Sequence, residues 1–153
     1  MDLPDADWRS NPASQPYVAF VDNTAKKYGL PVDVLGGLIN RESKFQPGAV
    51  SPSGASGIAQ IVPKFHPGVN TRDPLASIDY AGKYLAENLK RFGSDMSRAL
   101  AAYNHGPTAV ASYGSKWRQK IPKETRAYIE ALAPLAISRE ERLRKLRAEA
   151  LKQ

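Results

Sequence analysis

Glu42 is the position whose surroundings could give a carboxyl group chemistry. It follows the apolar run Val34-Leu35-Gly36-Gly37-Leu38-Ile39 and precedes Ser43-Lys44-Phe45-Gln46-Pro47. If Val34 to Glu42 is helical, Leu35, Leu38 and Ile39 lie seven, four and three residues before Glu42, on one helix face. A carboxyl held against such neighbours loses hydration, which disfavours the anion and raises its pKa. A general acid is kept protonated near neutral pH in this way. Ser51-Pro52-Ser53-Gly54-Ala55-Ser56-Gly57-Ile58-Ala59-Gln60 follows as a polar, glycine-rich loop able to bind a ligand. Taken alone, such a glutamate is more commonly a structural ion pair or a loop cap than a catalytic acid.

The elements that must position Glu42 are helical. Residues 1–14 are rich in Pro, Asp, Ser and Asn and are expected to form an irregular leader. Pro16 opens an amphipathic stretch closed by Gly29, and Pro31 opens the helix that carries Glu42. Residues 43–57 hold prolines, glycines and serines and are expected to be loop, with one or two helical turns over Ile58–Val62. Asp73-Pro74 caps the clearest helix, whose apolar positions run from Leu75 to Phe92 before Gly93. Shorter helices are predicted from Asp95 to Tyr103 and from Pro122 towards Pro134, with a turn or two at Thr108–Tyr113. No run alternates convincingly, so the fold class is mainly α with at most a minor sheet. A single domain over 15–137 is expected, followed by a charged terminal helix over 138–153. Its Leu143, Leu146 and Ala150 span too few heptads for a coiled coil.

Composition excludes several classes. The 153 residues contain no cysteine, which rules out disulfides and thiolate metal sites. His66 and His105 are far apart, so no imidazole-based metal site is expected, and no cofactor is implied. The net charge is +7, of which residues 138–153 carry +3, so the excess is not one concentrated patch. A basic chain is drawn to anionic polymers, including nucleic acid, acidic membrane surfaces and bacterial wall polymers. Against nucleic acid, no helix-turn-helix or aromatic–basic stripe stands out, and the first segment is acidic. No stretch approaches a membrane span.

Three motifs occur in order. Arg41-Glu42-Ser43-Lys44-Phe45-Gln46-Pro47, continuing through Ser51 and Gly57-Ile58-Ala59-Gln60-Ile61-Val62-Pro63, resembles the signature of the soluble lytic transglycosylase catalytic domain. Ala102-Tyr103-Asn104-His105-Gly106-Pro107 is similar to that family's Ala-Tyr-Asn-x-Gly motif, and Glu124-Thr125-Arg126-Ala127-Tyr128 to its Glu-Thr-x-x-Tyr motif. The resemblance covers about residues 17 to 132.

It implies a lysozyme-like single domain with a substrate groove. The implied reaction cleaves the β-1,4 bond between N-acetylmuramic acid and N-acetylglucosamine of peptidoglycan strands. Glu42 would act alone, first as acid and then as base, and leave a 1,6-anhydromuramoyl end. Ordinary glycosidases use two carboxylates; here no Asp or Glu lies between Glu42 and Asp73. The resemblance also implies substrate-binding positions at Ser51, Gln60, Val62, Tyr103, Asn104, Glu124 and Tyr128, with Tyr103 reaching towards the catalytic carboxyl and Glu124 shaping the groove. Each has a plainer reading: Ser51 caps a turn, Gln60 satisfies loop carbonyls, Tyr103 is core, Asn104 ends a helix, and Glu124 opens one. Val62 and Ile58 stand where many members carry methionine and leucine. The opening Met1–Trp8 lacks the features of a secretory signal. With the Phe65-His66-Pro67 loop and the missing lipidation cysteine, this points to a phage-encoded wall-degrading enzyme, an endolysin or a virion component. Such an enzyme would be delivered to periplasmic peptidoglycan and act as a monomer or within a larger virion assembly. A goose-type muramidase, a non-catalytic glycan-binding module and a basic nucleic-acid-binding domain are the alternatives.

Overall fold

The computed structural model describes residues 3–152; Met1, Asp2 and Gln153, parts of the expected leader and terminal helix, lie outside the described residues. Two 3-10 segments, Pro4–Ser10 and Pro12–Tyr17, lead into α1 (Val18–Tyr28) and α2 (Val32–Ser43). A long loop then precedes α3 (Pro74–Arg91) and α4 (Met96–His105). Four further helices follow: α5 (Pro107–Ser112), α6 (Trp117–Lys120), α7 (Lys123–Leu132) and α8 (Arg139–Ala150). The chain is mainly helical, as its periodicity predicts. Among the described residues no strand forms, only the isolated bridges Val50–Ser56 and Ser56–Ile61.

α2 runs through the core. Val34, Leu35, Leu38 and Ile39 are fully buried and belong to one hydrophobic core with Ile58, Ile78, Leu85, Leu100 and Leu132. Two glycines let neighbours approach it closely. A Cβ on Gly36 would lie 2.1 Å from the Trp8 ring, and one on Gly37 2.7 Å from Leu135. After Ser43 the helix ends in two consecutive non-glycine residues in the left-handed region, Lys44 (φ 53°) and Phe45 (φ 62°). That conformation costs free energy for a side-chain-bearing residue. It turns Phe45 inward, where its buried ring stacks on Trp8 at 5.9 Å and on Tyr17 at 6.2 Å.

The expected irregular leader is therefore a packed wall from Leu3 onward. Trp8 is fully buried, and its indole N–H donates to Asp33 at 3.1 Å. Pro16 falls within the second 3-10 segment, and α1 starts at Val18. The helical turns expected over Ile58–Val62 are also absent. Gly57 (φ 82°) and Gln60 (φ 51°) occupy left-handed conformations that no α-helix accommodates, and the bridges take up the backbone groups of Ser56 and Ile61. A Cβ on Gly57 would stand 2.0 Å from the Thr71 carbonyl oxygen.

α3 follows its predicted capping: the Asp73 carboxylate accepts from the N–H groups of Leu75 (3.0 Å) and Ala76 (3.3 Å), with Pro74 first in the helix. α4 is capped by Asp95 and continues to His105, two residues beyond the predicted Tyr103. α8 is present but buries none of its residues, and Leu143 and Leu146 remain nearly half exposed.

Candidate active site

Glu42 sits in the last turn of α2, above the apolar face formed by Leu35, Leu38 and Ile39. The next residue anchors that turn: Ser43 Oγ donates to the Ile58 carbonyl at 2.6 Å, tying the helix end to the following loop. The carboxyl is partly buried and lines a pocket of about 500 Å³ together with Asn104 at the end of α4 and Glu124 and Tyr128 on α7. Pro4, Asp5, Asn40, Arg41 and Lys44 complete the walls.

The Tyr128 hydroxyl donates to Glu42 Oε2 at 2.9 Å. Glu42 Oε1 has no hydrogen-bond partner among the described residues, which leaves one oxygen to carry and deliver a proton. Burial pushes the Glu42 carboxyl up to about 7. The Tyr128 hydrogen bond and the Arg41 charge oppose that rise, and the Glu124 carboxylate adds to it. Desolvation wins, so the group is poised between its acid and base forms near neutral pH. Tyr103 and Tyr128 are both held well above the ordinary phenol range, by burial first and by the Glu42 charge second, so they serve as O–H donors. Asn104 Oδ1 accepts from the buried Thr125 hydroxyl at 2.7 Å, which fixes the amide and leaves its NH2 available to a ligand.

The pocket thus brings together Glu42, Asn104, Glu124 and Tyr128 of the residues singled out in the sequence. Tyr103 lies near enough for the Glu42 charge to act on it, while its hydroxyl donates to the Ala59 carbonyl at 3.1 Å and Tyr128 makes the hydrogen bond to the carboxyl. α7 packs on α4 and α2 and carries Tyr128 to Glu42 across 86 residues of sequence. Ser51, Gln60 and Val62 do not line this pocket. Ser51 Oγ accepts from the Ala55 N–H at 3.0 Å, and the Gln60 amide donates to the carbonyls of Ala49 (3.0 Å) and Gly57 (2.9 Å). Both hold the loop in shape. Val62 is partly buried, and its carbonyl accepts from the N–H groups of Phe65 and His66. Pro4, Asp5, Asn40 and Lys44 are pocket residues that sequence reasoning did not single out. Asn40 and Lys44 stand two residues either side of Glu42, so their nearness could have been read locally, whereas Pro4 and Asp5 become adjacent to α2 only on folding. A larger cavity between α8 and the N-terminal turns holds the ion-paired Arg9 and Asp33 and no group resembling the perturbed Glu42 acid.

A family profile described as the Transglycosylase SLT domain matches residues 20–125. The chain belongs to this family. The SLT match takes in Glu42, Asn104 and Glu124, whereas Asp5 and Tyr128 fall outside it. The SLT chain is 36% identical over 93 residues to a transglycosylase of Enterobacteria phage PRD1, covering 59% of this chain and 34% of that one. It is 28% identical over 143 residues to membrane-bound lytic murein transglycosylase D of Escherichia coli K12, covering 80% of this chain and 31% of that one. Identity to membrane-bound lytic murein transglycosylase C of Haemophilus ducreyi is 31% over 115 residues, which covers 61% of this chain and 31% of the relative. The matched stretches make up about a third of each relative's length. No helix among the described residues is long and apolar enough to cross a membrane.

Proposed function

We propose that this domain is a peptidoglycan lytic transglycosylase in which Glu42 alone serves as acid and then base. The observation that carries the reading is the desolvated Glu42 carboxyl, pushed up to about 7 in a pocket that also presents a tyrosine hydroxyl and a fixed asparagine amide. Protonated Glu42 donates to the oxygen bridging N-acetylmuramic acid to N-acetylglucosamine, and the C1–O bond breaks. The muramoyl N-acetyl oxygen stabilises the positive charge at C1. The Glu42 carboxylate, steadied by Tyr128, then takes the proton of the C6 hydroxyl as O6 bonds to C1. The product is a 1,6-anhydromuramoyl end, with no water consumed and Glu42 protonated again.

Asn104 orients the sugar at the pocket, Tyr103 supports the pocket from behind, and Glu124 shapes its rim. Ser51, Gln60 and Val62 form the continuing glycan surface on the loop that Gln60 holds in shape. The catalytic body runs over 15–137, with the leader packed on it and α8 as an appendage. The similarity to the phage PRD1 transglycosylase supports a phage wall-degrading role, as an endolysin or a virion component reaching periplasmic peptidoglycan.

Glu42→Gln is expected to remove cleavage of purified peptidoglycan by at least about a hundredfold while the fold survives, since loss of a positioned proton-transfer group costs about 10²–10⁴ in rate. Cleavage at the wild-type rate would end the reading. Glu124, a second carboxylate in the same pocket, favours one alternative, hydrolysis by a goose-type muramidase in which water attacks C1. Mass spectrometry of the released muropeptides separates the two: anhydro ends support the lyase, and ends heavier by one water support the hydrolase.

A further inference from the structure

The N-terminal 3-10 turn does more than close one side of the pocket. Asp5 on that turn is only 5% exposed although it bears a carboxyl. A buried carboxylate is tolerated only when it is paired and hydrogen-bonded. Both of its partners come from the end of α2. Asn40 Nδ2 donates to Asp5 Oδ1 at 3.0 Å, and the Arg41 guanidinium approaches Oδ2 at 3.4 Å. Asn40 is held in turn by Asn11, whose Nδ2 donates to Asn40 Oδ1 at 3.0 Å. Arg41 directly precedes Glu42 and lines the same pocket, yet its one ion pair among the described residues is with Asp5.

We propose that Asp5 is a positioning residue for the Glu42 acid: it holds the Arg41 guanidinium on the N-terminal wall and matches its charge, so that Arg41 does not pair with Glu42. This rests on Glu42 being the proton donor. Around Glu42 stand Arg41 and Lys44 from α2 and its cap, Asp5 from the N-terminal turn, Glu124 and Tyr128 from α7, and Tyr103 from α4. Two cations thus face two anions besides Glu42, and neutralising Asp5 alone tilts the pocket positive. An Arg41 free to reach Glu42 would hold the acid as a carboxylate, unable to protonate a leaving oxygen. The Arg41 charge already acts in that direction.

The test combines a carbon-13 NMR titration of the Glu42 carboxyl with the pH–rate profile of peptidoglycan cleavage, for wild type, Asp5→Asn, Arg41→Gln and the double variant. In Asp5→Asn the Glu42 titration and the alkaline limb of the rate profile should move down together by about half a unit to one unit. In Arg41→Gln the titration should move up, and the double variant should return close to wild type. A purely structural role for Asp5 would lower cleavage by one factor at every pH and leave the titration in place. A folded Asp5→Asn protein whose Glu42 titrates as in wild type overturns the proposal, as does an unmoved titration in Arg41→Gln. The Arg41→Gln measurement decides the matter if Asp5→Asn does not fold. Because the titration is read without turnover, it judges Asp5 even if Glu42→Gln proves active and the catalytic reading falls.

Discussion

At the scale of single residues, the surroundings that keep Glu42 protonated must also cost stability. Its carboxyl titrates at about 7 in the folded protein against an ordinary value of 4.5. Between those values the folded state binds a proton that the unfolded chain has released, so stability falls as pH rises through that window. Below it the penalty is absent; above about 7 it is complete. Glu42→Gln removes the charge and with it the penalty. Thermal unfolding should therefore match wild type near pH 4 and occur at higher temperature above about pH 7, with a gain of about 3 kcal/mol. Equal melting temperatures across that range would show that the carboxyl is not held against its charge. The apolar offsets at Leu35, Leu38 and Ile39 make this environment legible in the sequence, because a helix face is a local property. Tyr128 as the direct partner was not legible, since a hydroxyl in the Glu-Thr-x-x-Tyr motif has no local relation to a helix 86 residues earlier.

Among the elements, the 3-10 wall and α2 depend on each other. The left-handed Lys44–Phe45 step that ends α2 is held because Phe45 stacks between Trp8 and Tyr17, and Gly36 leaves room for the indole. Trp8→Ala should destabilise the protein by about 3–5 kcal/mol in denaturant unfolding, as expected for truncating a fully buried large aromatic. Loosening the Phe45 stack should also reduce wall cleavage beyond any loss of folded protein. A loss under about 1 kcal/mol would show that the wall merely rests on the body. Proline and glycine punctuation placed α2, α3 and α7 within a few residues, because capping is written in adjacent side chains. The leader misled because a polar composition does not show that its Trp8, Asp5 and Ser14 find buried partners once the segment packs on the body. Ile58–Val62 misled because short apolar runs do not distinguish a helical turn from a bridged loop.

For the whole molecule, the separable part is α8, which buries none of its residues. Removing residues 138–153 lowers the net charge from +7 to +4. The truncated chain should retain its melting temperature and its cleavage of short muropeptides, but bind whole anionic wall material more weakly at low salt. A sedimentation assay at two ionic strengths checks this, and a large fall in melting temperature would instead make α8 part of the fold. The amino-acid order alone determined the helical class, the caps, the apolar bed beneath Glu42 and the three motifs, since each depends on periodicity or on near neighbours along the chain. Only the tertiary structure decided which tyrosine meets the acid, that Asp5 rather than Glu42 takes the Arg41 charge, and that Ser51 and Gln60 bind their own loop. Those choices are made when distant segments exclude water from a shared volume, and the electrostatics of that volume belong to no segment by itself.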